Sequence, residues 1–126
     1  MIKRIFYILC LITLNSFCGF EVTQPDGKKI VLKDIPYGGF ILQRYNSDGS
    51  PDNKFTSFSY TWPGIKAQAI KFDKRSNIYV YGIMSKLPIT VILDPKTADT
   101  FIMRFEPSGY LDRTFGNVGM MVNPRY

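Results

Sequence analysis

Arg44-Tyr45-Asn46-Ser47-Asp48-Gly49-Ser50-Pro51-Asp52-Asn53-Lys54-Phe55 recurs, without a gap, as Arg104-Phe105-Glu106-Pro107-Ser108-Gly109-Tyr110-Leu111-Asp112-Arg113-Thr114-Phe115. The offset is 104 − 44 = 60 residues, and four pairs keep identity and place: Arg44/Arg104, Gly49/Gly109, Asp52/Asp112 and Phe55/Phe115. Each copy holds turn chemistry, Asn46-Ser47-Asp48-Gly49 in the first and Glu106-Pro107-Ser108-Gly109 in the second. Proline presets φ and glycine accepts a positive φ, so each cluster ends a strand in a tight turn. The strands so ended are Phe40 to Tyr45 and Phe101 to Phe105. Upstream of them lie Ile30-Val31-Leu32 and Ile78-Tyr79-Val80, and a further strand follows each copy, ending in Thr61-Trp62 and in Met121-Val122. The second unit has the longer internal connection, from Ser85 to Asp99. A period of this length in a chain of strands implies propeller blades or a β-solenoid.

The remaining sequence agrees with that class. Lys66 to Asp73 alternates polar and apolar residues, the period-two pattern of a half-buried strand. Asn77 to Met84 is β-branched and aromatic, and the turn Lys74-Arg75-Ser76 joins the two segments as a hairpin. The eight prolines are scattered in a way that opposes long helices, and helical periodicity is confined to the first 18 residues. The fold class expected is all-β: about two propeller-like blades of antiparallel strands, preceded by a helical signal segment.

These motifs resemble the delta-60 repeat, a family associated with β-propellers in bacterial secreted and surface proteins. Its core runs Arg, an aromatic or aliphatic residue, Asn-x-Asp-Gly-x-Leu-Asp-x-x-Phe-Gly. Arg104 to Gly116 follows it through Pro107, Gly109, Leu111, Asp112, Phe115 and Gly116, and Gly119 continues it. Arg44 to Phe55 follows it through Asn46, Asp48, Gly49, Asp52 and Phe55, departing at Pro51 and Thr56. Gln24-Pro25-Asp26-Gly27-Lys28 is similar to the family's turn into the next strand. The resemblance spans nearly all of residues 21–122, in units of roughly 21–65 and 66–126. It implies a blade and carries no activity of its own.

The amino terminus reads as an address. Met1-Ile2-Lys3-Arg4 is a short basic start, Ile5 to Leu14 is apolar, and Asn15-Ser16 is small and polar. That order is the pattern of a secretory signal peptide over residues 1–18, leaving 19–126 as the repeat domain. The apolar run falls short of the roughly 20 residues a membrane span needs, although a signal anchor stays open as an alternative. Cleavage after Cys18 is one reading, and lipidation of Cys18 at the head of the mature chain is another. Both place the protein outside the cytoplasm, secreted or in the periplasm or cell envelope, and neither leaves an internal disulfide. Loss of residues 1–18 removes Lys3 and Arg4 but no acid, so the mature charge is 14 − 10 = +4. The remaining cations are spread as singletons and pairs, which suits strand edges better than a nucleic-acid stripe.

Composition excludes much enzymology. The 126 residues contain no histidine, which removes Ser–His and Cys–His pairs, an imidazole base and His-ligated zinc. Two cysteines exclude a Cys-rich zinc site. Within the repeat, Asp52 and Asp112 are expected to accept local backbone N–H groups, Arg44 and Arg104 to pair with those carboxylates, and Phe55 and Phe115 to pack between sheets. A sharper alternative is calcium at Asn46, Asp48 and Asp52, with Glu106, Ser108 and Asp112 as a poorer second set. Phe58, Tyr60 and Trp62, before Pro63-Gly64, form either a strand end packed on the next blade or a ligand platform for a sugar or peptide. No cofactor is implied.

Two blades fall short of the roughly 4–8 that close a propeller. The chain is therefore expected to be part of a longer array, to close a ring as a homo-oligomer, or to fold as a small two-sheet sandwich. The functional expectation is a non-enzymatic binding or protein-interaction module with a protein or glycan partner and no nucleic acid. The alternative is a structural or degenerate repeat fragment with no ligand of its own.

Overall fold

The computed structural model describes residues 5–7, 19–36, 38–85 and 98–124. Nine strands run in chain order: β1 (Ile5–Tyr7), β2 (Gly19–Thr23), β3 (Lys29–Asp34), β4 (Phe40–Tyr45), β5 (Phe58–Tyr60), β6 (Ile65–Phe72), β7 (Ile78–Met84), β8 (Asp99–Phe105) and β9 (Met120–Asn123). They form two antiparallel meanders, β2-β3-β4-β5 and β6-β7-β8-β9, with β1 added at the outer edge of the first. The fold is all-β, and among the described residues there is no helix. The helical leader expected over residues 1–18 lies outside the described residues, except that Ile5–Tyr7 pair with Phe20–Val22. Residues 86–97 of the β7–β8 connection also lie outside them.

Alternation along each strand decides which face is buried. In the first sheet Phe20 and Val22, Ile30 and Leu32, and Phe40 and Leu42 all point to one side. In the second, Ile78 and Val80 do so beside Phe101, Met103 and Phe105. The period breaks once, in β6, where a bulge shifts the register between Ala67 and Ala69. The extra residue lets Ala67 and Ile70 both face the core, which strict alternation forbids. The two inner faces then merge into one apolar cluster. Across the seam, the Phe58 ring meets Phe105 edge-on at 4.7 Å, and Gly39 N–H donates to the Ile65 carbonyl at 3.0 Å.

The repeat reveals how the sheets are stacked. Adding 60 to the buried Phe40 and Leu42 gives Thr100 and Ile102, which alternate with the buried Phe101, Met103 and Phe105 of β8. Equivalent faces of the two units therefore point the same way. The first sheet packs one face against the opposite face of the second, a head-to-tail stack rather than a mirrored sandwich.

Phe40 is fully buried and sits against both Phe58 and Tyr60. Its truncation leaves a void that rigid strands do not fill, so Phe40→Ala is expected to cost about 3–5 kcal/mol. Equilibrium urea unfolding measures this, and a loss below about 1 kcal/mol would show that the site collapses or is not part of one core.

Candidate functional site

The two Arg–Asp–Phe units share one set of hydrogen bonds. Arg44 Nε donates to Asp52 Oδ2 at 2.8 Å, and Arg104 Nε to Asp112 Oδ2 at 2.7 Å. The other carboxylate oxygens accept the N–H groups of Lys54 and Thr114, both at 3.0 Å. Asp52 N–H donates to the Arg44 carbonyl at 3.0 Å, and Asp112 N–H to that of Arg104 at 2.9 Å. The turns close through Gly49 N–H to Asn46 O and Gly109 N–H to Glu106 O, each 2.9 Å. The guanidinium carbons lie over the Phe55 and Phe115 rings at 4.8 and 4.7 Å from the centroids. One cation thus links the end of a strand, the carboxylate eight residues on and the ring beyond it.

The carboxylates are held as anions. Lys28 Nζ, 2.8 Å from Asp52 Oδ2, is the largest influence on Asp52, followed by the Lys54 N–H and, further down, Arg44; together they pull its pKa to about 2. The Thr114 hydroxyl and N–H, with Arg104, lower that of Asp112. The Tyr79 hydroxyl and Asp112 in turn stabilise the Arg104 cation. Asp52 is only 7% exposed, and its oxygens are taken up by Lys28, Arg44 and Lys54. Asp48 accepts from Ser50 N–H and Oγ, while the Asn46 amide donates to Ser50 Oγ and the Pro51 carbonyl. Of the side chains considered for calcium, both carboxylates are therefore already engaged, Asp48 by Ser50 and Asp52 by Lys28, Arg44 and Lys54. Among the described residues no group of three or more acidic or cysteine side chains gathers as a metal site.

The units differ in what covers them. Phe55 is 6% exposed because the second sheet's turn closes over it. Arg44 Nη1 donates to the Pro107 carbonyl at 3.0 Å, and Thr56 N–H to that of Ser108 at 2.7 Å. Gly109 sits so close that a Cβ there would meet the Thr56 carbonyl oxygen at 2.2 Å and the Phe55 ring at 2.9 Å. Gly49 has nearly the same φ, +90° against +95°, yet nothing lies within 4 Å of its Cβ direction. Phe115, expected between sheets, lies instead half-exposed on the outer face of the second sheet, edge-on to Tyr79 at 5.9 Å. The head-to-tail stack explains the difference, since it buries this face only in the first unit.

Phe58, Tyr60 and Trp62 do not make one platform. Phe58 and Tyr60 are half-buried and pack onto the core beside Phe40, whereas Trp62 is 40% exposed beyond the strand end. The aromatic surface lies elsewhere. Tyr79 and Tyr81 stack at 6.4 Å on the outer face of β7, with Lys71 Nζ 5.4 Å from the Tyr81 ring centre. Beside them are Arg104, which pairs with Tyr79 across β7 and β8, and Met121, 50% exposed on β9. Alternation within Ile78 to Gly82 contained this signal, because Tyr79 and Tyr81 share a face.

Compared with known proteins, the chain matches no family model, no curated protein and no solved structure.

Two measurements test the geometry. Asp52 has a folded pKa of about 2 and an unfolded one of about 3.9. Its contribution is complete above the unfolded value and is lost as pH falls toward the folded one. Thermal unfolding should therefore shift to lower temperature between about pH 5 and pH 2, and Asp52→Asn should be less stable at neutral pH with a flatter profile. Identical slopes for the two proteins would refute the assignment. Separately, Gly49→Ala should lose about 1–2 kcal/mol from its positive φ alone. Gly109→Ala should lose clearly more, because its Cβ also meets a backbone oxygen and a buried ring. Equal losses in chemical denaturation would mean the seam at Gly109 is loose.

Proposed function

We propose that the chain is an exported, non-enzymatic repeat protein of the delta-60, β-propeller type that acts as a protein-interaction module. The observation that carries this reading is the inequality of the two units: one identical motif is covered by a neighbouring turn, the other faces solvent. A sheet face holding Tyr79, Tyr81, Phe115 and Met121 supplies aromatic and apolar area with little rotamer entropy to lose. The congruent turns and the two four-stranded meanders support the blade reading. Absence of histidine from the whole sequence, and carboxylates already spent on turns, support a binding role over a catalytic one. A protein partner is favoured over a glycan because the surface extends across several strands. The basic start and short apolar run support export to the envelope or beyond, with Cys18 as the cleavage or lipid-anchor position.

A photo-crosslinking residue placed at Met121 in the producing cell should yield a discrete covalent adduct with another polypeptide. The same probe at Arg75, on the exposed β6–β7 turn, should not. Intact mass of the exported chain should show the leader removed, as residues 1–18 after plain cleavage or as residues 1–17 with a lipid on Cys18. A Met121 probe that gives no adduct, or only the smear obtained at Arg75, would reject the module.

A further inference from the structure

We propose that the open unit of one copy receives the Asn46–Gly49 turn of a second copy, repeating between molecules the seam seen within one. The proposal rests on the reading of the outer face as a contact surface and names its partner.

The argument is quasi-equivalence. Inside the chain, Arg44, Phe55 and Thr56 of the first unit hold the turn Pro107 to Gly109 of the second through two hydrogen bonds and a ring packed against a bare glycine. Sixty residues later the receiving group returns as Arg104, Phe115 and Gly116. Sixty residues earlier the inserted turn exists as Ser47, Asp48 and Gly49. The Arg–Asp and turn hydrogen bonds recur in both units, and among the described residues no turn seats on Phe115, whose ring meets Tyr79 edge-on. The receiver differs from its counterpart at Gly116, where φ is +55° and Met120 and Met121 pack close. Residues 47–51 are exposed throughout, and the space ahead of Gly49, filled by Phe55 at Gly109, holds nothing.

The flanking strands extend the match. Phe58, which packs on Phe105 across the seam, pairs with Leu42 in its own sheet. The residue paired with Ile102, the counterpart of Leu42, is Met121. Its displacement is 121 − 58 = 63 because the second unit inserts the turn residues Asn117, Val118 and Gly119 before β9. Met121 thus occupies the place of an interfacial ring and is exposed. Facing it in the second copy would be the outer face of its first sheet, where Val31, Ile41 and Tyr45 supply apolar contact and Lys29 and Lys33 bring cations toward Tyr79 and Tyr81. The contact is heterologous, so repetition closes a ring or grows a filament. With two sheets per copy, a ring of roughly 4–8 blades takes two, three or four copies.

Heterologous contacts allow a complementation test. Phe115→Ala removes the receiver and spares the turn. Gly49→Asn blocks the turn with a residue that tolerates positive φ and spares the receiver. Light scattering coupled to size exclusion should find the purified wild-type protein associated, and each variant folded by circular dichroism but at least about tenfold weaker in association. Mixed together, the variants should form a one-to-one heterodimer that does not extend, since one intact receiver meets one intact turn. Should Gly49→Asn fail to fold, Ser47→Trp obstructs the same turn from its exposed side. A wild-type protein that stays monomeric, an oligomer unaffected by both variants, or a mixture with no heterodimer would each overturn the proposal. A Met121 adduct with a different polypeptide, alongside a monomeric wild type, would leave the module standing and remove only the self-docking. No adduct at all would remove both.

Discussion

A single guanidinium in each unit determines how the chain leaves a strand. Arg44 and Arg104 hold a carboxylate eight residues downstream and lie on an aromatic ring three residues beyond that. Without that cation the loop would keep its backbone and local side-chain hydrogen bonds, but nothing would tie the carboxylate and the ring to the end of the strand. With it, the path of twelve residues is set to within about 0.1 Å in its shared donor–acceptor distances between two otherwise divergent segments. The precision matters because the ring is the surface on which the next sheet is laid. Burial of Phe55, the approach of Gly109 and the seam of the core all follow from where that ring is put.

The sheets on either side depend on this placement in unequal ways. The first sheet contributes Phe40, Leu42 and Phe58 to the seam, and the second contributes Phe105 and a turn with no side chain at its closest point. Glycine at that point has two separate reasons, a positive φ and the absence of room, whereas its counterpart at position 49 has only the first. Identical residues in a repeat thus carry different loads according to what lies beyond them.

Much of the fold was legible because short strands bounded by Gly, Pro, Asn and Asp leave few alternatives, and because the two copies align without a gap. The Arg-to-Asp reach was legible from a spacing of eight across a turn. Other features depended on long-range placement. The bulge between Ala67 and Ala69 has no marker in an otherwise alternating strand, and only the core it serves shows why it is there. Phe55 and Phe115 are the same residue in the same motif, so nothing local distinguishes the buried ring from the open one. Phe58, Tyr60 and Trp62 looked like one cluster in a line of text, but only Phe58 and Tyr60 stack together, and the end of the strand leaves Trp62 outside the core. Tyr79 and Tyr81 were read as strand formers, and their common face gained meaning only once the stack left it uncovered.

The joint between the sheets is short. Residues 61–64 pass from β5 to β6, and they are pinned where β6 begins: Gly39 N–H holds Ile65, and Ser85 N–H holds Gly64. Such a joint behaves as a covalent spacer that sets pitch and twist before any side chain is consulted. A contact between separate molecules has no spacer, and its angle is left to the rings, the turn and the lysine stems alone. Curvature of an assembly built from these pairs would therefore alternate between stiff steps and compliant ones, and its circumference could be retuned by surface substitutions that never touch the core.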